Sequence, residues 1–345
     1  MASAGQMRAL LLDAERHLSL VETAIPALVG PTDVLVRVRA VGICGSDLHG
    51  YLGHTGRRIP PLVMGHEATG EVVAVGEGVR ALQPGARVAT SSIAACGHCR
   101  PCLAGERAIC EHRRILGMDA PGAYAEYVVW PEDSLPLLPD ALSYEAGSLA
   151  EPLAVALHAV NMAGIKPGDA VLVAGAGPIG VLTHLLARIA GAGTIIVSDL
   201  HADRLGSARA LGADVVVDAS AADPVAVARR LTGGSGVDVA FEAVGAGVTA
   251  RQTIDAVRNA GTVVWLGNSA NLIEVGMQAV VTRNLTIRGS YAMTGDEFER
   301  ALSLLAGGRV PVDAIINRYA SLEEGPVLFE ELLVSPATIK CVMRP

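Results

Sequence analysis

Four of the six cysteines, Cys96, Cys99, Cys102 and Cys110, fall in one loop-like stretch with the spacing C-x2-C-x2-C-x7-C. Thiolates on tight turns can converge on a tetrahedron, the geometry zinc takes in closed sites. Four thiolates leave no open coordination position, so this set predicts a structural metal. An iron–sulfur cluster draws on the same four ligands; the surrounding Gly/Pro loop and a second set of metal-binding residue types elsewhere in the chain favour zinc. A different chemistry is written at Gly175-Ala-Gly-Pro178-Ile179-Gly180. Gly175 permits a tight turn, Gly177 lets backbone approach a pyrophosphate, and Gly180 allows a helix to pack closely on a strand. N–H groups at the helix start then face the anion.

Asp199 ends the next apolar run and can accept both ribose hydroxyls of an adenosine. It would repel a 2′-phosphate, since like charges at about 4 Å cost on the order of 1–4 kcal/mol depending on local dielectric. NAD is therefore favoured over NADP. Arg204 argues the other way, because an arginine nearby can pair with that phosphate.

The elements that must hold these residues are legible in the hydrophobic pattern. Val34, Val36 and Val38 alternate with Arg37 and Arg39, the signature of a half-buried strand, and Thr69–Val75 is similar. After Lys166-Pro-Gly-Asp169 the texture changes. Short apolar runs at Val171–Ala174, Thr194–Ser198, Val215–Val217, Val239–Ala243, Thr262–Leu266 and Leu285–Ile287 alternate with helical stretches. Continuous β-branched runs imply strands covered on both faces, hence a parallel βαβ sheet. A helix is expected over Asp296–Leu305, and the remaining tail is expected to return to the first domain.

Gly42-Ile-Cys-Gly-Ser-Asp-Leu-His49, Met64-Gly-His-Glu-Ala-Thr-Gly70 and Ala150-Glu-Pro-Leu-Ala-Val-Ala-Leu-His158, in one order with the cysteine loop and the glycine motif, resemble the medium-chain zinc alcohol dehydrogenase superfamily. The similarity is greatest to its sorbitol (polyol) dehydrogenase branch and covers nearly the whole chain. It implies an α/β protein: a GroES-like β-rich catalytic domain over 1–155 and 290–345, and a Rossmann doubly wound parallel-sheet nucleotide domain over 156–289. It also implies two zinc ions, one catalytic and one structural, with NAD as the second cofactor. By the same resemblance Cys44 and His66 are ligands of the catalytic zinc, and Glu67 is the carboxylate beside them. Glu151 is the carboxylate that meets the metal directly or through water. Either acid could ligate at a given step. Ser46 would take the alcohol proton, and His49 would pass it on to solvent.

Those residues imply hydride transfer between a secondary alcohol and NAD. The polyol pattern is incomplete, however. Gly50 stands where that branch carries an aromatic, and Ala292 where it carries an arginine. The expected substrate is thus a vicinal diol, sugar alcohol or related hydroxylated molecule, with threonine or butanediol dehydrogenase activity as the alternative. Tyr51, Met118 and Tyr291 are candidates for the pocket wall. His54, His158, His184 and Cys341 are expected to be structural, and His98 and His112 solvated. A non-catalytic dinucleotide-binding protein would be expected to have lost a zinc ligand or Ser46, and a zinc-free quinone reductase would lack the cysteine loop.

The chain carries 27 basic and 35 acidic side chains, for a formal charge of -8, without a Lys/Arg run, which argues against nucleic acid. With 51% hydrophobic residues and no low-complexity stretch it can bury a core. The N-terminal apolar stretch is interrupted by Asp13 and Glu15, and the greasiest region carries His184 and Arg188. A cytoplasmic protein without a membrane span is expected. The strand around Thr286–Tyr291 is expected to pair across a two-fold axis, giving a homotetramer or a dimer.

Overall fold

The computed structural model describes residues 5–54, 56–335 and 337–345. The chain divides into two compact units, Met1–Glu151 with Thr294–Pro345, and Pro152–Met293.

The first unit is built on β-sheets. Its central strand Asp33–Gly42 alternates as the sequence predicts, with Val34, Val36 and Val38 buried and Arg37 exposed. From Ala40 onward the alternation gives way to continuous burial, and the register with the antiparallel strand Glu67–Val75 shifts between Val38 and Ala40. That irregularity sets how the two strand ends align. Gly42 stands opposite Glu67 and Val41 opposite Ala68. Cys44, two residues beyond one strand end, is therefore brought beside His66, one residue before the other. The last strand, Lys340–Arg344, pairs antiparallel with Asp33–Gly42 through Val342 and Gly42. The unit is thus assembled from both ends of the chain, as the returning tail requires.

The second unit is a six-stranded parallel sheet with the spatial order Val215–Asp218, Thr194–Asp199, Ala170–Ala174, Val237–Glu242, Val257–Trp265, Thr286–Gly289. In chain order this reads 3-2-1-4-5-6, the doubly wound arrangement whose ligands sit beyond the carboxyl ends where the order reverses. That point lies between Ala170–Ala174 and Val237–Glu242. The strands are as apolar as predicted because both faces are covered: Val171, Leu172, Val173, Ile195, Ile196 and Val197 are all fully buried. Strand ends differ from the sequence reading by a few residues, most at Val257–Trp265, where pairing begins well before the β-branched run. The expected helix near Asp296 spans Gly295–Ala306. Its Thr294 cap accepts from the Glu297 N–H, while the Glu297 carboxylate accepts from Thr294 N–H. No helix among the described residues is long and apolar enough to cross a membrane.

Candidate active site

The cysteine loop closes on itself. Its four sulfurs lie within 4.8 Å of one another, with Cys99–Cys102 at 3.4 Å, Cys99–Cys110 at 3.7 Å and Cys96–Cys102 at 4.0 Å. A tetrahedron of sulfurs 2.3 Å from zinc has edges of about 3.8 Å, so the spacing fits that ion. Backbone N–H groups of Cys96 and His112 donate to Cys110 Sγ, and that of Cys99 to Cys96 Sγ. Such donors favour thiolates. Backbone donation at Cys102 draws Cys99 down to about 6, while desolvation pushes Cys102 up to about 12. Four crowded thiols cannot all ionise without a cation among them. His98 and His112 lie exposed beside the loop, as expected.

The second constellation gathers where Asp33–Gly42 ends and Glu67–Val75 begins. Cys44 Sγ, a ring nitrogen of His66 and a carboxylate oxygen of Glu67 lie within 4.8 Å of one another. Gly65, just before His66, has φ +93°, and a Cβ there would fall 2.5 Å from the Tyr124 ring. Only glycine suits that position. Thr90 Oγ donates to the His66 carbonyl and accepts from Ala68 N–H, which holds the entry to the strand. Glu151, on the first turn of the helix Ala150–Ala163, is buried nearby but stands outside this triad. Its Oε1 accepts from Ser92 Oγ at 2.7 Å, and desolvation, opposed in part by His66, raises its pKa.

Charges around the triad are unusually dense for a protein interior. Asp47 is fully buried and accepts from Arg58 Nη2 at 2.8 Å and Tyr124 OH at 2.6 Å, with His66 Nδ1 3.5 Å away. Burial alone would raise its pKa, but His66 and Arg58 outweigh that and hold it well below the ordinary carboxylate range. Glu67 forms a buried ion pair with Lys340, whose Nζ also donates to the Ile43 carbonyl at 3.0 Å. Gly42 makes room for that pair, since a Cβ there would strike both partners. Four acidic side chains, Cys44, Asp47, Glu67 and Glu151, gather here with Arg58 and Lys340. Burial alone would lower the His66 pKa, but Asp47 holds it well above its ordinary value. A bound dication would replace the proton that His66 otherwise holds. The donor types fit zinc, with Cys44 and His66 placed to hold it.

In the second unit, Gly175 has φ +104°, and a Cβ on Gly180 would lie 1.9 Å from the Gly175 carbonyl oxygen. A Cβ on Gly177 would meet nothing within 4 Å, so that residue borders open space. Gly177 caps the helix Pro178–Ile189, with Pro178 in its first turn and Ile179 following. Asp199 joins this loop directly: its Oδ2 accepts from Ala176 N–H at 2.7 Å and its Oδ1 from His201 N–H at 2.9 Å. Arg204 Nη1 lies 4.0 Å from Asp199 Oδ2.

Two family models match the chain. Residues 30–140 match the model for the alcohol dehydrogenase GroES-like domain, and 178–307 that for zinc-binding dehydrogenases. A probable D-xylulose reductase A of Aspergillus clavatus is 36% identical over 331 residues, covering 93% of this chain and 92% of the relative. The chain belongs to the medium-chain zinc alcohol dehydrogenases. An L-threonine 3-dehydrogenase of Symbiobacterium thermophilum is 41% identical over 289 residues, 82% of each chain. Among solved structures, a zinc-binding dehydrogenase of Sinorhizobium meliloti bound to NADP superposes with a TM-score of 0.90 at 36% identity, covering 99% of this chain and 100% of that one.

As a zinc alcohol dehydrogenase, the chain carries partner residues that its sequence does not mark as such. Asp47 sits inside the Gly42–His49 motif, where its type alone assigns it no role. Lys340 is a lone cation in an apolar terminal run, a signal that could have marked it. Arg58 gives none, since its neighbour Arg57 is exposed. Tyr51 corrects an expectation: it is 3% exposed, its ring packs edge-on against Phe329, and its hydroxyl donates to Glu330. It belongs to the core because the helix Gly45–Tyr51 turns that face inward. His184 and Cys341 are buried, as expected. Ser46, His49, Met118 and Tyr291 are half-buried.

Proposed function

We propose that this chain oxidises a secondary alcohol bearing neighbouring hydroxyls, a polyol or vicinal diol, to the ketone with NAD, and runs the reverse reduction. The observation that carries the reading is the Cys44–His66–Glu67 triad, with His66 and Glu67 buried and Cys44 half-buried. When bound, zinc supplies Lewis-acid stabilisation of charge on the substrate oxygen, and the nicotinamide accepts the hydride. The residues do the rest. Cys44 and His66 grip the ion, and Asp47 fixes the His66 ring through Nδ1, as second partners of metal-bound histidines do. Lys340 neutralises Glu67, and Ser92 holds Glu151. Ser46 takes the alcohol proton and His49 hands it to solvent. Burial, then His54 and Arg58, lower the His49 pKa, which favours release of that proton near neutrality.

Relatives acting on xylulose support the polyol reading, and the threonine dehydrogenase relative supports threonine as the second reading. Asp199 supports NAD. Arg204 beside it, and the NADP held by the Sinorhizobium protein, support a test of both dinucleotides. Initial rates with polyols, butanediols, simple secondary alcohols and threonine, each with NAD and NADP, decide the matter. Exclusive turnover of long-chain primary alcohols would overturn the polyol reading, and a lower KM for NADP would overturn the cofactor.

The domain limits 1–155 with 290–345 and 156–289 fall within a few residues of the two compact units, which supports that division. Cytoplasmic residence and a homotetramer are further parts of the proposal. The strand Thr286–Gly289 ends its sheet, and Leu272, Met277 and Val281 of the same unit are 88%, 77% and 65% exposed. Exposed apolar side chains and an open strand edge in one unit suit a partner copy. Sedimentation velocity giving a monomer at micromolar concentration would end the assembly proposal.

A further inference from the structure

One buried charge near the triad contacts the hydroxyl assigned to proton transfer. Arg58 is 5% exposed, and its Nη2 donates both to Asp47 Oδ1 at 2.8 Å and to Ser46 Oγ at 3.0 Å. Its stem runs over Gly50: a Cβ there would lie 2.1 Å from Arg58 Cδ and 3.0 Å from Cγ. Any side chain at position 50 would push the guanidinium off its acceptors. The glycine that departs from the polyol pattern and the arginine therefore form one device.

A serine hydroxyl has one hydrogen to give and two lone pairs to accept with. A guanidinium only donates, and it keeps its proton under all ordinary conditions. Arg58 thus occupies one lone pair of Ser46 permanently and can never receive the Ser46 hydrogen. One lone pair remains for the substrate O–H, and the hydroxyl hydrogen is left to point along the exit route.

We propose that Arg58 is a positioning residue for proton transfer: a fixed donor, admitted by Gly50, that orients the Ser46 hydroxyl between substrate and exit. The proposal rests on Ser46 being the first proton acceptor. In the oxidation, the substrate O–H bond breaks as a new O–H bond forms on Ser46 Oγ. The original Ser46 hydrogen leaves toward solvent, so Ser46 ends as it began, and the hydride pair goes to the dinucleotide of the dehydrogenase reaction.

The test uses the zinc-loaded enzyme with its best alcohol. Arg58→Lys keeps a positive charge beside Asp47, but its nitrogen ends one bond short of both acceptors. Since positioned acid–base groups contribute about 10²–10⁴-fold, loss of orientation should lower kcat by roughly 10–100-fold. KM, dinucleotide affinity and zinc content should stay near wild type. In a Ser46→Ala background the same change should alter kcat by less than about twofold, because the two residues act as one unit. Gly50→Ala retains every charge, provides the measurement should Arg58→Lys fail to fold, and should show the same Ser46-dependent loss. Wild-type kcat in either variant, or an undiminished loss in the Ser46→Ala background, overturns the proposal. Wild-type kcat in Ser46→Ala alone would instead refute the role of Ser46 on which it stands.

Discussion

At the scale of single residues, the site is organised by how charges are paired. Removing one partner of a buried pair leaves the other uncompensated, at a cost of about 3–5 kcal/mol. Asp47→Asn should therefore lower stability by that order. It should also weaken zinc affinity by about 10–100-fold, because His66 loses its second partner; chelator competition and denaturant titration measure the two effects. Cys44→Ser should behave differently. It should abolish turnover and halve the zinc content while NAD still quenches protein fluorescence normally, since Gly175, Gly177 and Gly180 lie in the other unit. Full turnover in Cys44→Ser would remove the basis for the metal assignment. The type of each candidate was readable from the motifs. The partners were not, because Arg57 and Arg58 are identical in sequence terms and only one is buried.

Elements set which of those residues meet. The cysteine loop has little regular structure, a short helix at Arg100–Leu103 and one turn at Arg107–Ile109, so metal ligation would stand in for a core. Cys99→Ser should lose the other zinc and lower Tm by on the order of 10 °C, as losing a few kcal/mol does in a domain of this size. Catalytic zinc should remain, and metal analysis beside a melting curve will show it. In the nucleotide unit, the 1.9 Å approach at Gly180 admits no side chain. Gly180→Val should weaken dinucleotide binding by about tenfold or more, by parting the helix from the loop that presents its N–H groups. Both elements were legible from spacing. The bulge that turns Cys44 and His66 toward each other was not, because it depends on the register between two distant strands.

Across the whole molecule, the two ends of the chain are tied by ionic contacts as well as by the sheet. Glu330, on the helix Gly325–Val334, takes Arg16 and the Tyr51 hydroxyl. Hydrogen bonds from Arg16 and then Tyr51 draw its pKa from the ordinary 4.5 to about 2. A folded-state value below the unfolded one gives stability that is present above pH 4.5 and lost as pH falls toward 2. Glu330→Gln should therefore lower Tm modestly near neutrality and flatten the acid limb of Tm against pH, the two proteins converging as pH falls toward 2. An unchanged acid limb would mean the cluster adds nothing beyond its geometry.

What the sequence determined by itself is the chemistry available: thiolates at metal spacing, glycines at a phosphate turn, an acid at a strand end, and apolar runs that can only be covered strands. These are local patterns, and local physics reads them. Tertiary structure alone decided which charges became partners. Lys340 reaches Glu67 because the last strand pairs with Asp33–Gly42, and Arg58 reaches Ser46 because Gly50 is bare. Those contacts join residues far apart along the chain or lying on different turns, and no period in the sequence encodes them.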